Sequence, residues 1–173
     1  KMNASEQRLL SKKLLENKLM GIDLDAKNKE RFNEICQELN ALSTRFSNNI
    51  LDATKAYELV LKDKEDVEGL PKILLEMAFS AYKKKYLDGK ENLNNNTESG
   101  PWLITLDAPS LIPFLEHCKK SSLRKEIYLE HLNKASKEPF DNRSLLEKIL
   151  LLRQEKAELL GFKNFAELSI EEK

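Results

Sequence analysis

The sequence predicts a mostly α-helical domain with long amphipathic helices and one short antiparallel β-ribbon, about 57–61 with 102–106. Three observations predict it. Apolar residues recur at steps of three and four along most of the chain, the period of a helix with one buried face. That period gives way to strict alternation in only two short runs, AYELVLKD and PWLITLD. Five Gly and five Pro interrupt 173 residues, too few for a loop-rich or all-β chain.

The first helix takes residues 4–20, with Leu9, Leu10, Leu14, Leu15 and Leu19 at helical spacing and Gly21 as its stop. Asp25 is placed to cap the second. Its apolar face reads Phe32, Ile35, Cys36, Leu39, Leu42, Phe46 and Ile50, about five turns of helix. Tyr57, Leu59 and Leu61 then alternate with polar or outward residues, as do Trp102, Ile104 and Leu106. Two lone strands are unstable apart, so they pair with each other. Between them Pro71 suits a first helical turn, and Leu74, Met77, Ala78, Ala81 and Tyr82 form a stripe. The segment 88–100, DGKENLNNNTESG, reads as a flexible Asn-rich surface loop.

After Asp107 the helical period returns. Pro109 and Pro113 bracket a helix start, followed by Leu111, Ile112, Leu115 and Cys118. Ser121 or Ser122 is a candidate cap for a helix with Leu123, Ile127, Leu132 and Ala135 inward. EPFDN is a break. Asn142 or Ser144 caps a further helix carrying Leu145, Leu146, Ile149, Leu152, Leu159 and Leu160, and Gly161 closes it. Asn164 then looks like the cap of one more helix, with Phe162 and Phe165 as apolar anchors.

Composition removes several function classes. Lys+Arg and Asp+Glu balance at 29 each, so no net charge draws the chain to nucleic acid or an anionic membrane. The longest apolar runs, such as Ile149 to Leu152, are far too short to span a bilayer. The opening KMNASEQRLLSKK has no apolar core of a signal peptide. Two cysteines, Cys36 and Cys118, make no disulfide framework, and a reducing, intracellular setting, cytoplasmic or organellar, is expected.

The residues offer no constellation for catalysis or for a metal. His117 and His131 stand fourteen apart on different expected helices, so the chain holds no H-E-x-x-H. His117 adjoins Cys118, but helix neighbours point about 100° apart and chelate one ion poorly. The expected assignment is a surface histidine beside a buried cysteine. No G-x-S-x-G, phosphate loop or dinucleotide fingerprint is present. Glu155 and Glu158, with Lys156 between them, read as a solvated helix face. Lys83-Lys84-Lys85 runs into an acidic, Asn-rich loop, which argues against a nucleic-acid patch. The expected catalytic, cofactor-binding and metal residues are therefore none.

Three stretches go further. LSTRFSNNILDAT (42–54), LITLDAPSLIPFLEHC (103–118, followed by LRKEIYLEHLNKAS) and ILLLRQEKAELLGFKNFAELSIEEK (149–173) resemble segments of the M3 zinc metallopeptidases of the oligopeptidase A and thimet oligopeptidase type, in family order. The resemblance covers the chain from its first Leu-rich helix onward. It departs from the family's pattern at 88–100, which is longer and more polar than expected there and reads as an insertion at a loop tip.

The resemblance implies a two-domain, mostly helical peptidase with a deep channel that admits short, unstructured peptides. It implies a zinc held by an H-E-x-x-H site and a later Glu in the catalytic part, where metal-bound water attacks the peptide carbonyl. None of those residues lies in these 173, so no cofactor is expected in this segment and zinc belongs to the parent enzyme. The segment would form part of the N-terminal, non-catalytic channel wall, with the remainder of its own chain as its partner, and no nucleic acid or membrane. The helix restart at Asn164, close to Lys173, then reads as an edge cut through a larger protein. On that reading Leu159, Phe162, Phe165 and Leu168 should be partly exposed for want of their partner, or covered by another copy of the chain. The alternative is a stand-alone helical protein-interaction module.

Overall fold

The computed structural model describes residues 2–87 and 97–171. Among them are seven α-helices, a 3-10 turn and two strands, so the fold is mostly helical. The chain divides into two compact units, a contiguous one of Asn48–Asp141 and a discontinuous one of Lys1–Ser47 with Asn142–Lys173. Most of the expected loop 88–100 lies outside the described residues.

In the contiguous unit β1 (Leu59–Leu61) and β2 (Trp102–Ile104) pair antiparallel, Leu59 opposite Ile104 and Leu61 opposite Trp102. The ribbon is shorter than predicted. Thr105 N donates to Ser110 Oγ at 3.0 Å rather than to a strand, which ends the ladder before Leu106. At the other end the second helix runs to Ala56, leaving little chain before β1. The expected alternation also fails in β2, where Trp102, Leu103 and Ile104 are all buried. Both α3 (Lys72–Tyr86) and α4 (Ala108–His117) pack on this strand, so it behaves as an interior one.

Leu74 and Ala78 of α3 and Leu111 and Phe114 of α4 join Leu61, Leu70, Leu106 and Cys118 in one cluster, with Ile127 of α5 (Ser121–Leu132). Three residues expected inward, Met77, Ile112 and Leu132, are exposed instead. Each sits on the edge of its stripe, one step from a residue that is buried or packed. Neither Ser121 nor Ser122 caps α5, whose N-cap is Lys120. The nearby carbonyls of Cys118 and Lys119 instead accept from the Arg124 guanidinium.

The discontinuous unit holds α1 (Ala4–Leu19), the Ala26–Ser47 part of α2 (Ala26–Ala56), α6 (Arg143–Leu159) and α7 (Phe165–Glu171). A capping box closes the start of α1: Asn3 Oδ1 accepts from Glu6 N at 2.9 Å, and Glu6 Oε2 from Asn3 N at 2.8 Å. Yet α1 has no buried residue; Leu9, Leu10 and Leu14 are exposed, and only Leu15 and Leu19 are half-buried. Asp25 caps α2 as expected, its Oδ1 accepting from Asn28 N at 3.0 Å.

Three long-range bonds fix α6 antiparallel to α2. Glu155 meets Arg31, Lys148 meets Glu38, and Asn142 Nδ2 donates to Phe46 O at 3.0 Å. Asn142 is the N-cap residue of α6 but makes no side-chain cap bond. Both α1 and α6 end in the same way. Gly21 at φ +73° and Gly161 at φ +82° take the left-handed position. Ile22 N then donates to Asn17 O at 3.2 Å, and Phe162 N to Ala157 O at 2.9 Å, the long bond of a Schellman motif. Asn164 caps α7, its Oδ1 accepting from Glu167 N at 2.9 Å.

The face expected to be partly exposed is so at three of its four residues and buried at the fourth. Leu168 is buried in a cluster with Phe32, Ala157 and Leu160, and Leu159, Phe162 and Phe165 are half-buried against it. Phe32 of α2 supplies the cover, a contact that no local spacing around Gly161 could reveal.

Candidate functional site

The residues singled out for chemistry do not converge. His117 ends α4 exposed, its Nε2 3.8 Å from Glu116 Oε2. Cys118, the next residue, is buried, and its thiol has two carbonyl acceptors within reach, Asp66 O at 3.7 Å and Lys120 O at 3.8 Å. The pair diverges, as helix-end neighbours should. His131 lies on α5 with its Nδ1 buried and without a hydrogen-bond partner. Burial first, and Lys134 second, hold its pKa below the ordinary histidine value. Among the described residues no three His, Cys, Asp or Glu side chains are grouped to hold a metal ion. No group of side chains among the described residues fits the zinc that the resemblance places in the parent enzyme.

Glu155 does more than the expectation allowed. Its side chain is 40% exposed, and it is also one half of a two-bond ion pair, Arg31 Nε to Oε1 at 2.6 Å and Nη2 to Oε2 at 2.7 Å. Hydrogen bonding to Arg31 lowers its pKa, and the same bond raises that of Arg31. Arg31 stands 124 residues away, so nothing in the Glu155-Lys156-Glu158 spacing announces the pair. Glu158 accepts from Gln154 Nε2 at 2.7 Å on the outside of the helix. The Lys83-Lys84-Lys85 run is also tied down in part: Lys85 pairs with Glu58, and Lys83 Nζ lies over the Phe79 ring, 5.9 Å from its centroid.

The concavities among the described residues include one in the contiguous unit and two in the discontinuous one, of which a 300 Å³ hollow runs along Cys36, Leu39, Asn40, Arg153 and Phe165. The largest of these, 920 Å³, lies in the discontinuous unit between the Leu15–Leu19 face of α1, Phe32 and Cys36 of α2, and Lys156 of α6. Its floor is apolar and its rim carries Arg8, Lys12, Lys156, Glu16 and Glu171. Lys156 Nζ stands 5.4 Å from the Phe32 ring centroid, so that cation is already engaged. Glu16 is bonded to Lys13 Nζ at 2.6 Å, which lowers its pKa. The smallest of these, 230 Å³, lies in the contiguous unit among Tyr57, Leu106, Glu130, Lys134 and Phe140. Burial, then the charges of Glu126 and Glu130, push the Tyr57 phenol up to about 12. Among the described lining residues neither of these two hollows pairs a nucleophile with a base at hydrogen-bond distance. What these surfaces offer is shape and apolar area.

Comparison with known proteins gives this surface a context. The sequence profile of Peptidase family M3 matches residues 114–173. The chain is 45% identical over 169 residues to organellar oligopeptidase A, chloroplastic/mitochondrial, of Arabidopsis thaliana, covering 98% of this chain and 21% of that protein. It is 44% identical to a probable cytosolic oligopeptidase A of the same plant, over 98% of this chain and 23% of that one. Against oligopeptidase A of Escherichia coli the identity is 32%, over 95% of this chain and 23% of that protein. The chain thus spans between a fifth and a quarter of the length of these relatives. With a family profile over α4 to α7 and identity running through nearly all of its residues, the chain belongs to peptidase family M3, as a segment of the oligopeptidase A type.

Proposed function

We propose that the chain is part of the N-terminal, non-catalytic wall of the substrate channel in a zinc-dependent oligopeptidase acting on short peptides. The observation that carries this reading is the 45% identity over 98% of the chain to a protein about five times longer. The architecture is compatible with it: helices packed through apolar faces, with no metal-ligand group among the described residues. In this reading the catalytic residues and zinc lie in the remainder of the peptidase, which is also the segment's physical partner. The relatives bear organellar and cytosolic names, and the setting proposed for this protein is intracellular. No described helix is long and apolar enough to cross a membrane.

The test is direct. The purified 173-residue chain is incubated with an internally quenched peptide, with and without zinc. No turnover is expected. Zinc-dependent turnover that survives removal of host peptidases and disappears with a chelator overturns the non-catalytic assignment. Splicing the chain in place of the matching stretch of the Arabidopsis organellar enzyme is expected to give a folded peptidase.

A further inference from the structure

The first three turns of α6 carry leucine or isoleucine on all sides. From Leu145 to Leu152 only Glu147 and Lys148 are polar. Leu145, Ile149 and Leu152, at steps of four and three, form the buried stripe. Leu146, Leu150 and Leu151 lie off that stripe and are 47%, 55% and 72% exposed. A helix that is apolar all round is one covered on both sides. The same unit illustrates the ordinary alternative. The outer face of α2, at Asn33, Glu34, Gln37, Asn40 and Thr44, is exposed and polar, which is how this sequence builds a helix face that meets water.

We infer that Leu146, Leu150 and Leu151 form a docking surface for a helix of the peptidase remainder, so that α6 is the middle layer of a helical stack. The inference rests on the reading of the chain as a segment of a longer oligopeptidase. The occupant is chosen on length: three-quarters or more of each of the relatives described above lies outside the matched stretch, while the match takes in nearly all of this chain and α6 with it. The partner is expected to present an amphipathic helix with a leucine-type stripe and a cation beside it, since exposed Glu147 lies between Leu150 and Leu151 on the same face.

Thiol protection tests this. In a Cys36→Ser background, with Cys118 buried, Leu150→Cys places one accessible thiol on the surface. In the isolated chain it should react with a maleimide freely. In the chimera with the Arabidopsis organellar enzyme it should react at least about tenfold more slowly. Equal rates in an active chimera overturn the docking surface and leave the segment reading standing. A chimera that neither folds nor cleaves counts against the segment reading itself. Protection in the isolated chain that vanishes on dilution assigns the surface to a second copy, and overturns the inference. A further arm needs no chimera: Leu150→Glu in the isolated chain should leave its melting temperature unchanged. Loss of the fold there means that the surface is already used within the chain.

Discussion

In the contiguous unit, Trp102, Ile104, Phe114 and Ile127 are sealed from water between the ribbon and the helices around it. In the discontinuous unit, a whole sixteen-residue helix, α1, contributes no buried side chain, and the cluster beneath it counts four buried residues. The helices of the contiguous unit are the more apolar, and both α3 and α4 pack on β2; the other unit buries Phe32 and Ile35 of α2 and Leu145, Ile149 and Leu152 of α6, and leaves α1 with no buried side chain. An amphipathic pattern records which face is meant to be covered, and leaves open whether the cover is in the same stretch of chain.

The comparison can be broken or sharpened by experiment. The largest effect is expected from Phe114→Ala, which empties the centre of the closed core and should cost about 3–5 kcal/mol in denaturant unfolding. Leu168→Ala, in the smaller cluster, should cost about 2 kcal/mol, because half-buried Leu159, Phe162 and Phe165 around it can partly fill the space. Equal losses at the two sites would erase the distinction between the units. Within the discontinuous unit, Gly21→Ala and Gly161→Ala both force a left-handed side chain, at about 1–2 kcal/mol each. Gly21 should be the costlier, because its new Cβ would lie 3.0 Å from Phe32 Cδ1, whereas nothing stands within 4 Å of the one at Gly161. Thermal melts of the two variants rank them.

The contiguous unit should also show an alkaline limit that the other lacks. The Tyr57 pKa is raised from 10.0 to about 12, so the folded state keeps its proton longer than the unfolded state does. The stability this contributes is present below pH 10 and is lost as pH rises toward 12. Tyr57→Phe should flatten that part of the stability profile, read by denaturant unfolding at a series of pH values. The smallest effect is expected at Leu14→Ala on α1, within about 0.5 kcal/mol, because the side chain is exposed. A loss of several times that would mean that α1 is better packed than the burial of its residues implies.

Local signals carried much of the fold. The helix positions, the Asp25 and Asn164 caps, the Gly21 and Gly161 stops and the pairing of the two strands were all legible, because each depends on neighbours within a few residues. What was not legible depends on distant ones. The Ser121 or Ser122 cap failed because the helix starts one residue earlier, with Lys120 at the N-cap position and both serines already inside the first turn. The ion pair of Glu155 was not legible because Arg31 is far away in sequence. The full burial of Leu168 was not legible because Phe32 is equally remote. Residues expected inward at the edge of a stripe, such as Met77 and Leu132, turned out exposed, since a stripe has a width that spacing alone does not set. The absence of a catalytic constellation remains a reading of the sequence, and the turnover assay decides it.

The interruption of one unit by the other has a consequence for synthesis. The ribosome releases α1 and the first part of α2 early, but their partners α6 and α7 follow only after all of Asn48–Asp141 has been made. The contiguous unit can close as it emerges, whereas the leucines of α1 and the Phe32 face of α2 must wait in an unfinished state. During that interval their apolar side chains stay without their later partners, and slowing translation ahead of Asn142 should lengthen the exposure of the first half of α2 without affecting the ribbon.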